Sequence, residues 1–590
     1  MSDLPPSETP PSPSEVSSPL SGGSPSSPGS LTGVIKAPPE WIRRFKKSLS
    51  IPGLLVGTLF FALSLTPSLL PRGWVVQGIL SGLCLAAGYG IGVFYRWLWE
   101  YLELPLPEDR IQRWLLWGAG AACLLIMLGF LWHASDWQNS VRALMELEPV
   151  ETARPFRVGA LAYLIFVLAL GIARLFHLIH RSIARRLGQG VPRRVANVVS
   201  LLLAAALFWA VIDGVIVQQA LTSANATFER LDAREEVEEG APTDPLRTGS
   251  PQSLIAWEDL GRTGRNFVAG APGRAEMEAF LGEDALEPIR VYVGLNAADS
   301  PEGRARLALD EMERVGAFDR SLLVIVIPTG TGWIDPAAVT TLEYLHRGDV
   351  ASVAVQYSYL PSWLTLLTDP EYGAETAEAL FHEVYGHWSG LPEDDRPRLY
   401  LHGVSLGAHN SQASADLYDV IADPFHGALW TGPPFRSETW RDLTRQRAPD
   451  SPAWLPRFRD GSVVRFMNQH EASHPPDTPW GPLRIVYLQY ASDPITFFEP
   501  EALFRSPAWL DEPRGPDVSD RLRWYPVVTM LQLLADLAVG DASPVGYGHV
   551  YAPEHYVDAW MAVTDPPGWP RAEVTRLKDH LAVKLAPEEG

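Results

Sequence analysis

Gly403-Val404-Ser405-Leu406-Gly407 follows an apolar run, Arg398–His402, and precedes a helix-like one, Ala408–Ile421. G-x-S-x-G between a strand and a helix is the pattern of a nucleophile elbow, a sharp turn that projects a serine hydroxyl. The glycines are needed because the turn brings backbone segments too close for a Cβ. A serine becomes a nucleophile only beside a base, and the base needs an orienting carboxylate. With this elbow the order along the chain is Ser, then Asp or Glu, then His. The acid expected here is Asp493, in Tyr490-Ala491-Ser492-Asp493-Pro494, just past a strand-like run; Pro494 stops the strand there. Asp423, Glu499 and Asp517 compete less well, since none directly ends a strong strand. The expected base is His549, flanked by Gly548 near the chain end; His555 and His580 are its competitors.

An acyl-transfer site also needs donors for the developing oxyanion. One is the backbone N–H of Leu406, directly after the serine. The other is expected from Thr329, Gly330 or Thr331, in the loop that follows a second strand-like run, Ser321–Ile327. Gln356–Trp363 follows a further run and is a candidate pocket wall. His382-Glu383-Val384-Tyr385-Gly386-His387 superficially suggests zinc. Its histidines are five apart, so they do not share a helix face, and no metal is expected. Nothing in the sequence asks for a cofactor.

Elements that would position these residues lie in about 250–590. Short runs rich in Val, Ile, Leu and Tyr occur at Ile289–Gly294, Ser321–Ile327, Val350–Tyr357, Arg398–His402, Gly427–Trp430 and Arg484–Gln489. Several lack the alternation of a half-exposed strand, as parallel strands buried on both faces do. Helix-like segments, including Arg304–Val315, Glu371–Trp388 and Ala408–Ile421, alternate with them. The expectation is an α/β fold with a mostly parallel, doubly wound sheet.

The rest of the chain is different in kind. Residues 1–40 are mostly Ser, Pro and Gly, and such composition cannot offset its ordering entropy. Five apolar stretches follow, about 51–70, 74–95, 111–133, 157–178 and 195–220, each near the ~20 residues of a membrane-crossing helix. Pro52 and Pro67 interrupt the first. Trp74, Trp97, Trp99, Trp114, Trp117, Trp132 and Trp137 lie near stretch ends, where interfacial rings belong. Residues 225–250, acidic and then Pro/Gly-rich, read as a linker between a membrane domain (41–224) and a catalytic domain (251–590). Basic residues collect before the first stretch (Arg43, Arg44, Lys46, Lys47), between the second and third (Arg96, Arg110), and between the fourth and fifth (Arg181, Arg185, Arg186, Arg193, Arg194). They mark the cytoplasmic side, and five crossings would put the catalytic half outside the cytoplasm.

The two cysteines, Cys84 and Cys123, both lie in apolar stretches, which leaves no disulfide framework. A formal charge of −21 argues against a nucleic-acid partner. A transporter would need ionisable groups inside the spans, and Asp213 is the clear acidic candidate.

Taken together, Val291–Asn296, Thr329–Trp333, Gln356–Trp363, Gly403–Gly407, Asp493-Pro494 and Gly548-His549 resemble the bacterial membrane-anchored alpha/beta-hydrolase family. Its members join a multi-span N-terminal domain to a hydrolase domain. The resemblance covers about 40–560 and implies an alpha/beta-hydrolase fold with Ser405, Asp493 and His549 as a triad. The expected partners are a lipid bilayer and an ester-like substrate, a lipid or cell-envelope ester by reason of the anchor. Protein partners are unknown. An acyltransferase built on the same acyl-enzyme, or a ligand-binding membrane protein without catalysis, are the other readings.

Overall fold

The structure is a computed structural model that describes residues 49–105, 109–211, 240–360, 373–415, 417–475 and 477–586. The Ser/Pro tail, Asp213, most of the linker and Pro361–Trp363 lie outside the described residues.

The N-terminal helices are α1 (Ile51–Leu63), α2 (Trp74–Tyr101), α3 (Asp109–Arg142), α4 (Pro155–Leu187) and α5 (Arg193–Val211). Four of them, α2 to α5, are long and apolar enough to cross a membrane. The first apolar stretch does not make a full span. Its helix, α1, has 13 residues, about 20 Å at 1.5 Å per residue against a hydrocarbon core of about 30 Å. Ser64 ends it, and the chain then runs without helix past Pro67 and Pro71. The correction has a physical cause: each proline lacks the N–H an interior helix turn requires. A buried non-helical segment must have its polar groups met by other parts of the protein. Gln77 Nε2 donates to Ser64 O (3.0 Å), and Arg72 Nη2 to Thr66 O (3.0 Å). Gln532 Nε2, from the C-terminal half, also donates to Thr66 O (3.0 Å).

The C-terminal half is a seven-stranded sheet with β1 (Ile289–Val293), β2 (Leu322–Ile327), β3 (Val350–Val355), β4 (Arg398–Val404), β5 (Gly427–Thr431), β6 (Val464–Met467) and β7 (Arg484–Leu488). Their spatial order is β1-β3-β2-β4-β5-β7-β6, and every pairing is parallel. Six strands coincide with the sequence expectation to within a few residues. The seventh, β6, is four residues long with an arginine in it, too short and mixed to show a period. Strands β1, β2, β3 and β5 are buried along their whole length, which explains the missing alternation.

Helices α6 (Pro301–Arg314), α7 (Pro336–Leu345), α8 (Ala374–Gly390), α9 (Leu406–Ala413), α10 (Val528–Leu537) and α11 (Pro553–Thr564) are the ones that matter below. The run expected as one helix from Ala408 to Ile421 is instead α9 followed by a separate short turn, Leu417–Val420.

The two halves share one core. Leu69, Leu70, Val141 and Met145 are buried in the same cluster as the sheet residues. Val528 of α10 packs with Leu80 and Cys84 of α2. Asp536 of α10 accepts from Ser68 Oγ (2.9 Å) and Leu69 N–H (3.1 Å), and lies 3.9 Å from Arg72.

Candidate active site

Ser405 sits between β4 and α9 with φ 56° and ψ −125°. Positive φ is uncommon for a residue with a Cβ and costs on the order of 1–3 kcal/mol, strain that persists only where the surroundings over-determine it. The surroundings are on both sides of the turn. A Cβ on Gly407 would lie 2.2 Å from Ile327 O, and one on Gly403 would lie 2.4 Å from Gly407. Ser405 N–H donates to Thr431 O at the end of β5 (2.9 Å), and Ser405 O accepts from His409 N–H (3.1 Å). The side chain is buried to 4 % exposure.

The expected acid and base are in contact. His549 Nδ1–H donates to Asp493 Oδ2 at 2.7 Å, with both side chains almost fully buried. Asp493 follows β7 and caps the turn Pro494–Phe497, accepting from Ile495 N–H at 2.8 Å. The imidazole lies over the end of β5: a Cβ on Gly432 would meet His549 Cε1 at 2.7 Å. Gly432 directly follows Thr431, the residue that holds Ser405, so serine and histidine border the same strand end. His549 Nε2 is buried and has no hydrogen-bond partner among the described residues. Burial works against protonating His549, but the Asp493 charge and hydrogen bond outweigh it. Asp541 and Asp335 add to them, and the pKa stands above its ordinary value.

Three supporting residues carried no signal in the sequence. Tyr551 O–H donates to Asp493 Oδ2 (2.7 Å). Ser492 accepts from Gly548 N–H (2.9 Å) and donates to Asp517 (2.6 Å), which pins the histidine loop to the loop after β7. Gly548 has φ 58°, and a Cβ there would fall 2.2 Å from Ser543 Oγ. Asp335 caps α7, accepts from Tyr556 O–H (2.8 Å), and is pushed by burial up to about 6. Only its adjacency to the Thr329–Trp333 loop could have drawn attention to it.

Leu406, buried, is the first residue of α9. The Thr329–Thr331 loop reaches the elbow through Ile327 and Pro328, against which Gly407 packs. Within that loop, Thr329 N–H donates to Trp333 O (2.9 Å), and Thr331 O accepts from Gln356 Nε2 (3.4 Å). The other candidates stand elsewhere. Asp423 is held by Arg396 through two 2.6 Å bonds. His555 is bonded to Tyr490 O–H, and burial lowers its pKa to about 4. His580, the other competitor, is half-buried and stacked on Phe280 at 4.2 Å. Glu383 pairs with Arg306, His387 Nδ1 lies 3.0 Å from Glu313, and Tyr385 O–H donates to Asp423 O.

A cleft of about 1030 Å³ lies on the side of α9 and the Pro494–Phe497 turn; Ser405, Asp493 and His549 are not in its lining. His409, one turn past Ser405, lines it, as do Thr496, which donates to Asp493, and Phe435, Phe497 and Trp509. Glu499, on its wall, is pushed by burial up to about 7.

Two family models match the chain: one described as "Alpha/beta-hydrolase family" over residues 289–577, the other as "Alpha/beta-hydrolase family N-terminus" over residues 65–272. The chain belongs to the alpha/beta-hydrolase family. No curated protein matches it. Among solved structures, one described with two metagenome-derived lipolytic enzymes, LipS and LipT, is similar at 14% identity. That match covers 30% of this chain and 86% of the other, with a TM-score of 0.15.

Proposed function

We propose that the protein is a membrane-anchored serine hydrolase that cleaves an ester-like bond through an acyl-enzyme. The observation that carries the reading is the buried 2.7 Å Asp493–His549 pair beside the strained Ser405. Ser405 Oγ attacks the carbonyl carbon while His549 Nε2 takes its proton. The imidazolium then protonates the leaving alcohol. A water, deprotonated by the same nitrogen, cleaves the acyl-serine bond. Asp493 holds the tautomer and stabilises the imidazolium. Leu406 N–H is the first oxyanion donor, and the second comes from the 329–331 loop. Within that loop Thr329 is the weakest choice, because its N–H is already bonded to Trp333 O.

The favoured substrate is a lipid or cell-envelope ester. A bilayer anchor concentrates the enzyme on such material, and the cleft on the His409 and Thr496 side is at the large end of ligand pockets, about 300–1,000 Å³. The hydrolase domain is extracytoplasmic in this reading. Support comes from which helix ends it touches, not from a count of crossings. It packs on residues 64–73 and on the C-terminal end of α3, whereas Arg96, Arg110, Arg181, Arg185, Arg186, Arg193 and Arg194 lie toward the opposite ends.

A fluorophosphonate probe tests the chemistry. Wild type is expected to label and Ser405→Ala not to; equal labelling would sink the reading. Asp493→Asn is expected to lower kcat by about 10⁴-fold, as in other triads. Protease treatment of intact cells tests the side of the membrane, and a fully protected C-terminal half would reverse it.

A further inference from the structure

Helix α10 is built inside out. Its polar side chains, Thr529, Gln532 and Asp536, are all buried. Thr529 Oγ1 accepts from Tyr525 N–H (2.8 Å), Gln532 donates to Thr66 O, and Asp536 is held by Ser68 and Leu69. The positions left partly open, Val527, Met530, Leu531, Leu534, Ala535 and Ala538, are all apolar. They recur three or four residues apart and so form one stripe. A helix at a water surface has the reverse pattern, polar side out and apolar side in. From Trp524 to Gly540 the chain carries no basic residue, and Asp536 is its one acid.

The apolar surface does not end with the helix. Val527 N–H donates to Leu503 O (2.9 Å), which brings Leu503 and Phe504 to the first turn of α10. Both are exposed, Phe504 to 69 %. The neighbouring helix indicates what covers this face. Val528 packs on Leu80 and Cys84 of α2, with Leu531 and Ala535 beside them. At ~1.5 Å per residue, Leu80 and Cys84 lie ~9 and ~15 Å along α2 from Trp74, a ring of the kind that belongs at a membrane interface. Half a hydrocarbon core is about 15 Å, so the contact falls at the depth of one leaflet. Ile79 and Leu83, next to the contact residues on α2, are exposed too. The open face of α10 therefore continues the outer face of a helix long and apolar enough to cross a membrane.

We propose that α10, with Leu503 and Phe504, is embedded in the leaflet beside α2, its first turn deepest, with lipid acyl chains covering the apolar stripe. The proposal rests on the reading of α2 to α5 as membrane spans and on nothing about Ser405. At ten residues α10 is too short to cross, so it enters from one side only. Its other end leads to the histidine. A Cβ on Gly540, three residues past α10, would lie 3.6 Å from His549 Cβ. The length of α10, ~15 Å, thus separates His549 from the embedded turn.

The test uses the full-length protein in nanodiscs doped with a phosphatidylcholine that carries a diazirine in mid-chain. After irradiation, lipid adducts are mapped by peptide mass spectrometry. Leu125 of α3, 71 % exposed, reports the spanning helices, and Val583, 80 % exposed on the helix Arg571–Lys584, reports apolar surface in water. Adducts are expected at Met530, Leu534 and Phe504 to the extent seen at Leu125, and none at Val583. Adducts at Leu125 without any at Met530, Leu534 or Phe504 would overturn the proposal and leave the membrane reading intact. No adduct at Leu125 would sink the membrane reading and this proposal with it. Equal labelling at Val583 would overturn the proposal as well, because exposure alone would then explain the adducts. So would a cross-link between two copies of the chain at Phe504 or Leu534 in place of lipid.

Discussion

Asp493 accepts from His549 Nδ1–H, Tyr551 O–H, Thr496 O–H and Ile495 N–H. A carboxylate so held stays in place while the imidazole gains and loses its proton. On the proposed mechanism His549 serves as the base only when neutral, and its pKa is raised. The rate is therefore expected to fall on acidification through a value above the ordinary 6.5. Stability runs the other way. A raised folded pKa contributes fully below the unfolded value and is lost as pH rises through the folded one. Asp335 is among the charges that raise His549, and Asn can cap α7 in its place. Asp335→Asn is expected to move the acidic limb of kcat/KM downward; an unmoved limb would remove Asp335 from the site's electrostatics. Tyr551→Phe takes one donor from the carboxylate and strengthens its hold on the imidazolium. The same limb is then expected to move upward, with turnover reduced roughly fivefold, the worth of about 1 kcal/mol.

At the scale of elements, the histidine loop has no strand of its own and is held from both sides. Gly548 N–H is bonded to Ser492 after β7, and Ser492 to Asp517. Behind Gly548 stands Leu70, from the non-helical segment after α1, 3.1 Å from a Cβ placed there. Ser492→Ala leaves a buried N–H and a buried carboxylate short of partners. It is expected to cost about 1–3 kcal/mol and to lower kcat more than it raises KM. Leu70→Ala removes a side chain of 2 % exposure and is expected to cost about 2–5 kcal/mol in the solubilised full-length protein. Thermal melts with paired kinetics check both. If Leu70→Ala lost stability at full turnover, the segment would support the fold without positioning His549.

For the whole molecule, the N-terminal helices share buried contacts with the C-terminal half. Asp536 draws its partners Ser68, Leu69 and Arg72 from the N-terminal half, and Val528 is covered by Leu80 and Cys84. A chain beginning at residue 250 exposes that apolar surface and strips a buried carboxylate of its partners, a loss of about 3–5 kcal/mol. It is expected to melt below the full-length protein in the same detergent and to turn over more slowly. Equal melting points would mean that the interface contributes nothing.

The sequence by itself determined the elements whose signal is local. Gly403-Val404-Ser405-Leu406-Gly407 must turn sharply because two glycines allow a backbone approach no Cβ permits. The buried strands announce themselves as unbroken apolar runs, and Asp493-Pro494 ends a strand because proline cannot continue it. Tertiary structure alone decided what depends on distant partners. The prolines after the first apolar stretch are local, but that its non-helical continuation can stay buried was decided by Gln77, Arg72 and Gln532, which meet the carbonyls of Ser64 and Thr66. β6 exists because β7 lies beside it. Tyr551, Ser492 and Asp335 reach the site through contacts no spacing encodes. Arg72 carries no signal of burial in the sequence; only the fold turns its guanidinium inward, onto Thr66 O and 3.9 Å from Asp536.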